Sequence, residues 1–234
     1  MLASVGGVKR TQGWRGMTGL SMSRETGSGS ALQQLFVSID RLLASMPDVT
    51  MAFRALLPQT SEGFVEGSPD TGTLPVRQFW PACLSAAEKD GHAAISSVAQ
   101  SLRDLTPAFR WQQNPNYRAA PPSASFLANY GYVEICGPSG FLATPDLRLG
   151  VLLLGPHNFY PPHRHPAEEI YLPLHSGFWQ RGEDEVAAGS WQERAAGSVI
   201  HHPSWMPHAT QAGDQPLAAI YLWRGEVATA AKLD

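Results

Sequence analysis

Apolar residues in this chain fall into two rhythms. In the first, Leu32, Leu35, Phe36, Ile39, Leu42, Leu43 and Met46 form one stripe that Pro47 ends. Ala94, Ile95, Val98, Leu102 and Leu105 form another that Pro107 closes. Recurrence every three or four positions puts side chains on one face of an α-helix. The spacing predicts a helix from residue 31 to the proline, a weaker one over 51–57 and a third over 84–105. Residues 58–79, rich in Gly, Pro and Thr, predict a long loop. After Pro121-Pro122 the second rhythm begins. Short runs of Val, Ile, Leu and aromatic residues alternate with Gly, Pro and Asp turns at 125–135, 147–154, 168–174, 177–181, 198–202 and 217–223. Closely spaced short strands predict an antiparallel barrel or sandwich. Residues 1–30 are rich in Gly, Ser and Thr without period and read as a disordered lead. The expected organisation is a lead over 1–30, a helical region over 31–120 packing on a barrel, and the barrel over 121–234.

Composition narrows the function classes. A net charge of −3 and no visible basic stripe leave no field for nucleic acid. The longest apolar stretch, 149–155, is far too short to span a bilayer. Lys9 and Arg10 are followed by no apolar core and no cleavage site, so the expected location is the cytoplasm. Two cysteines, Cys83 and Cys136, make no disulfide framework and are read as free thiols.

The candidate chemistry sits in His163-Arg164-His165-Pro166-Ala167-Glu168-Glu169-Ile170-Tyr171, followed downstream by Pro207-His208. Side chains of a strand alternate faces with period two. One extended strand would therefore aim His163, His165, Glu169 and Tyr171 at the same side. Two imidazoles and a carboxylate are half of a site for a divalent metal, and His208 is the natural fourth donor. Such a site leaves positions for water or substrate. His157, His175, His201 and His202 are better read as core, surface or ligand-orienting residues.

The order of these residues resembles the cupin pattern. Its first motif reads here as Gly155, seven residues, His163-Arg164-His165, three residues, Glu169, seven residues, Gly177. Its second reads Gly197, five residues, Pro203, then Trp205 and His208, with Trp205 in place of the usual Gly. The resemblance implies a mainly β protein with a C-terminal cupin barrel (a double-stranded β-helix, or jelly roll) and an N-terminal helical segment. It implies one divalent transition metal per chain, Fe, Mn, Zn, Ni or Co, and spacing does not choose among them. Cupins commonly pair, so it also implies a homodimer.

Tyr171 separates this chain from many cupins, which place an apolar residue two beyond the Glu. A phenol beside a divalent cation has its pKa lowered from about 10 and can serve as a general base. His-x-His, three residues, Glu-x-Tyr and a distal His resemble the bacterial cupin-type dimethylsulfoniopropionate lyases, most of all the L-type. That resemblance implies β-elimination of dimethyl sulfide from a small sulfonium carboxylate, leaving acrylate. It carries over His163, His165, Glu169 and His208 as metal ligands and Tyr171 as the base. The family uses further active-site tyrosines, for which Tyr160 and Tyr221 are candidates. Aromatic faces tolerate a sulfonium cation, and Phe178, Trp179, Trp205 and Trp223 are candidates for that wall. The competing readings are another cupin metalloenzyme, a dioxygenase or isomerase, and a non-catalytic zinc-cupin sensor.

Overall fold

The helical stripes build a layer on one side of the molecule. The computed structural model describes residues 27–65, 74–89 and 92–234. Helix α1 (Gly27–Leu43) and helix α4 (Ala93–Leu105) bury their stripes in one cluster: Leu32, Leu35 and Ile39 from the first, Ile95, Val98 and Leu102 from the second. The lead expected over 1–30 lies outside the described residues up to position 26, and Gly27–Ser30 form the first turn of α1. Helix α2 (Pro47–Arg54) starts earlier than its expected 51–57, with Pro47 in the first turn, where a missing N–H costs nothing. The helix expected over 84–105 is two, α3 (Trp80–Lys89) and α4. The break has a local cause: His92 caps α4, its Nδ1 accepting the Ile95 N–H at 3.4 Å. Helix α5 (Pro115–Ala119) and helix α6 (Ala124–Ala128) follow. The latter occupies the first half of the strand expected over 125–135, because Ser123 Oγ accepts the Phe126 N–H at 3.0 Å and caps a helical turn.

Two five-stranded antiparallel sheets follow. One runs β1 (Tyr130–Cys136), β2 (Leu147–Leu154), β9 (Leu217–Arg224), β4 (Glu168–Pro173), β7 (Ile200–His202). The other runs β10 (Lys232–Leu233), β3 (Phe159–Arg164), β8 (His208–Gln211), β5 (Gly177–Arg181), β6 (Gln192–Arg194). A short helix, α7 (Gly182–Ala188), links β5 and β6.

The first sheet has two unlike faces. Leu149, Val151, Leu153, Ile170, Leu172, Ile220 and Leu222 point to the helices and share their cluster. Tyr171, Tyr221 and Trp223, from the alternate positions, join a second, aromatic cluster. Strand alternation alone produces this division.

One expectation fails here. Residues 163–171 are not a single strand. β3 pairs with β8 and β10, β4 pairs with β9 and β7, and the chain changes sheet between them. Pro166 offers no N–H to a ladder and marks the turn. The four residues assembled by parity instead face one another from two sheets. No helix among the described residues is long and apolar enough to cross a membrane.

Candidate metal centre and its cavity

Three donors converge between the sheets. His165 follows β3, Glu169 lies on β4 and His208 opens β8, and one ligand atom from each lies within 4.8 Å of the others. All three residues are buried. Glu169 Oε2 is 3.4 Å from His165 Nε2 and 3.1 Å from His208 Nε2.

The tautomers follow from the other ring nitrogens. His165 Nδ1 lies 2.9 Å from the Ala167 carbonyl, and His208 Nδ1 lies 2.9 Å from the Met206 carbonyl. A carbonyl can only accept, so each Nδ1 carries a hydrogen and Nε2 is the ring nitrogen turned toward Glu169. Both Nε2 atoms are buried without a hydrogen-bond partner. Two ring nitrogens thus converge on one carboxylate oxygen, each Nε2 3.1–3.4 Å from Glu169 Oε2. Two nitrogen donors and one oxygen donor converging in a buried site are the set a divalent metal takes, and the residues present fit one.

His163 stands beside this group rather than within it. Pro161-Pro162 interrupt the β3–β8 ladder, and the register shifts between Tyr160 and His163. The His163 ring lies parallel on Tyr160, centroids 3.9 Å apart, edge-on to His208 at 4.1 Å and 6.5 Å from His165. Burial, then His208, pushes its pKa well below the usual imidazole value. His202, from β7, approaches Glu169 Oε2 at 3.2 Å through Nδ1 and stacks on His208 at 4.0 Å. Burial holds its pKa at about 3. The Glu169 carboxyl lies well below the usual carboxylate range: burial pushes it up, but the imidazoles of His165, His202 and His208 outweigh burial.

A cavity opens beside Glu169. Its space is about 460 Å³ when the open mouth is included. Tyr160, Tyr171, Tyr221 and Trp223 all line it. Burial first, and the charge of Glu169 second, push the Tyr171 phenol well above its ordinary pKa. Tyr160 donates its hydroxyl to Tyr117 at 3.0 Å. Tyr221 lies over Gly150, where a Cβ would meet its hydroxyl at 2.4 Å, and donates to the Val133 carbonyl at 3.2 Å. Its oxygen is thereby committed to β1. Trp223 donates Nε1–H to Glu169 Oε1 at 2.5 Å and stacks on His165 at 4.0 Å, so it orients two of the three donors.

The other expected aromatic residues lie elsewhere. Trp179 is fully enclosed behind Tyr171, ring centroids 6.3 Å apart. Phe178 takes the opposite side of β5 and packs near Gly213. Trp205 is 47% exposed, with Lys232 Nζ 5.2 Å above its ring. Its φ of 62° is the left-handed value that the usual Gly of this motif takes freely, and its N–H donates to the His165 carbonyl at 2.9 Å. The turn survives the replacement and still ties the second motif to the first.

Several lining residues escaped the sequence reading. Asn114 belongs to a stretch expected to be helical packing, and Tyr130 and Tyr132 to an anonymous strand. Arg148, also in the wall, left a signal: it is a lone charge in the apolar run 147–154.

Comparison with known proteins gives a consistent result. A family model described as dimethylsulfoniopropionate lyase matches residues 49–219. The dimethylsulfoniopropionate lyase DddQ of Ruegeria pomeroyi is 33% identical over 72% of this chain and 82% of that protein. The putative dimethylsulfoniopropionate lyase DddL of Cereibacter sphaeroides is 28% identical over 69% of this chain and 66% of that protein. The crystal structure of DddQ from Ruegeria pomeroyi is similar over 87% of this chain and 96% of its own, with 25% identity and a TM-score of 0.64. A chain from the crystal structures of the lyases RdDddP and RnDddQII shares the fold with a TM-score of 0.65 at 23% identity, over 89% of this chain and 100% of its own.

Proposed function

We propose a mechanism for this chain on the premise that it belongs to the dimethylsulfoniopropionate lyase family and is a cupin-fold carbon–sulfur lyase. The substrate is dimethylsulfoniopropionate, and the reaction is a β-elimination. Tyr171, as phenolate, takes a proton from the carbon next to the carboxylate. The electron pair of that C–H bond becomes the new C=C bond. The C–S bond breaks, its electron pair leaves with sulfur, and the products are dimethyl sulfide, acrylate and a proton on Tyr171 that passes to water.

His165, Glu169 and His208 would hold the divalent metal, which supplies Lewis acidity toward the substrate carboxylate and makes the adjacent C–H more acidic. The observation that carries this reading is the meeting of two unpartnered Nε2 atoms with the Glu169 carboxylate, with Tyr171 alongside. Without a cation, Glu169 holds the Tyr171 proton in place. A cation at Glu169 reverses the sign of that local field and favours the phenolate. Tyr160, stacked on His163, and the ring of Trp223 orient the parts around the reacting carbon. Tyrosine and tryptophan faces in the wall accept the sulfonium without covalent chemistry.

The test is headspace detection of dimethyl sulfide from purified protein and dimethylsulfoniopropionate, with each of Fe, Mn, Zn, Ni and Co added in turn. Dimethyl sulfide with at least one of them is expected, and none with any of them sinks the reading. His208→Ala is expected to lower bound metal by elemental analysis. Unchanged metal content removes His208 from the ligand set.

A further inference from the structure

Arg148 is a partly buried cation that the elimination chemistry has not used. It stands on β2 directly opposite Trp223 of β9, which in turn faces Glu169 of β4. Arg148, Trp223 and Glu169 therefore form one row across three adjacent strands, on the cavity side. Two strand spacings of about 4.8 Å separate the ends of that row. The guanidinium carbon lies 5.2 Å from the Trp223 ring, the same indole that carries His165.

Four other arginines use guanidinium nitrogens on protein acceptors. Arg54 grips Asp40, Arg103 grips Glu88 and Arg164 grips Asp234, each through Nε and Nη2, and Arg181 reaches the His201 carbonyl in the same way. Arg148 differs. Its Nε lies 3.3 Å from Glu134 Oε2 and has no hydrogen-bond partner. Glu134 is itself held, its Oε1 accepting the Ser139 N–H at 2.7 Å. The pair braces the guanidinium from behind, and its terminal fork borders the cavity without a protein acceptor among the described residues. A planar fork of donors in a partly dry site matches a carboxylate.

We propose that Arg148 anchors the carboxylate of the substrate and of the acrylate product, and so sets which end of the zwitterion faces the metal centre. The anchor rests on the lyase reading for the choice of ligand. It leaves the sulfonium to the tyrosine faces of the cavity wall. It also makes a free carboxylate obligatory in any substrate.

The experiment measures acrylate binding to the metal-loaded protein by calorimetry, alongside KM and kcat for dimethylsulfoniopropionate. Loss of a charge-assisted pair costs about 10- to 100-fold in affinity. Arg148→Met should weaken acrylate and raise KM by about that factor, with bound metal unchanged and kcat moved far less. Acrylate affinity within threefold of wild type in folded Arg148→Met overturns the anchor, as does a wild type that binds no short carboxylate. Arg148→Lys guards against a variant that fails to fold. It keeps the charge but loses the fork, so acrylate should bind several-fold more weakly, and wild-type affinity there also overturns the proposal. Wild-type protein that binds acrylate but releases no dimethyl sulfide would count against the lyase reading alone.

Discussion

The two faces of the first sheet differ in kind although they alternate along the same strands. The face toward the helices is aliphatic: Leu149, Val151, Leu172, Ile220 and Leu222 are all fully buried there. The face toward the cavity carries Arg148, Glu169, Tyr171, Tyr221 and Trp223. Aliphatic burial stabilises by removing surface from water and asks only for volume and shape. A buried carboxylate, guanidinium or phenol costs free energy unless each polar atom is matched. The cavity face therefore depends on the helix face for its stability. Across the cavity, the unpartnered Nε2 atoms of His165 and His208 from the second sheet meet Glu169 of this face, and there a ligand completes the structure.

Substitutions on the two faces should separate activity from stability. The largest effect is expected from Tyr171→Phe, which removes one hydroxyl from the cavity face. Loss of a general base lowers kcat by about 10²–10⁴-fold. Bound metal, by elemental analysis, should be retained. Turnover close to wild type removes Tyr171 from the role of base.

A pH effect follows on the stability of the metal-free protein. In the unfolded chain His202 takes up a proton near 6.5, whereas burial and His208 hold it near 3 in the fold. The unfolded state then binds more protons between those values, so stability is full above pH 6.5 and falls as pH drops toward 3. The share of His202 alone has a slope of about 1.4 kcal/mol per pH unit and amounts to about 5 kcal/mol across the window. Urea midpoints measured across the window check this. Midpoints that stay flat from pH 6.5 down to pH 4 would contradict it.

On the helix face, Leu222→Ala should cost about 2–5 kcal/mol of stability. Its kcat per folded molecule should match wild type, by denaturation and single-turnover assay together. A fall in kcat without loss of stability would show that the faces are not separable at this position. The cavity side of the same sheet is tested at Gly150→Ala, where the new Cβ would meet the Val133 carbonyl at 2.0 Å and the Tyr221 hydroxyl at 2.4 Å, so that backbone as well as side chain must shift. Overpacking of this kind costs about 1–3 kcal/mol. The displaced Tyr221 ring should also raise KM, and unchanged stability with unchanged KM would mean that the ring is free to move.

Much of this arrangement is legible in the residues. Strands over 147–154 and 177–181 appear with those bounds, and the stripes of α1 and α4 are helical as their period requires. Motif spacing brought His165, Glu169 and His208 together on the page, and the fold brings them within 4.8 Å. Two kinds of feature were not legible. Local caps at Ser123 and His92 outweighed the pattern of apolar positions around them and moved element boundaries. Aromatic roles also depended on which side of a strand, and which sheet, each ring occupied. Phe178 and Trp179 are neighbours in sequence and lie on opposite sides of β5.

By itself the sequence determined the periodicities, the spacing of the two motifs and the phenol two residues after the carboxylate, because each is a matter of spacing along a chain with fixed local geometry. Only the tertiary structure decided that 163–171 is split between two sheets, that His163 stacks on Tyr160 outside the three-donor group, and that Arg148 stands in one row with Trp223 and Glu169. Those facts depend on how distant strands pair. Pairing register is set by burial across the whole sheet rather than by the residues within any one strand.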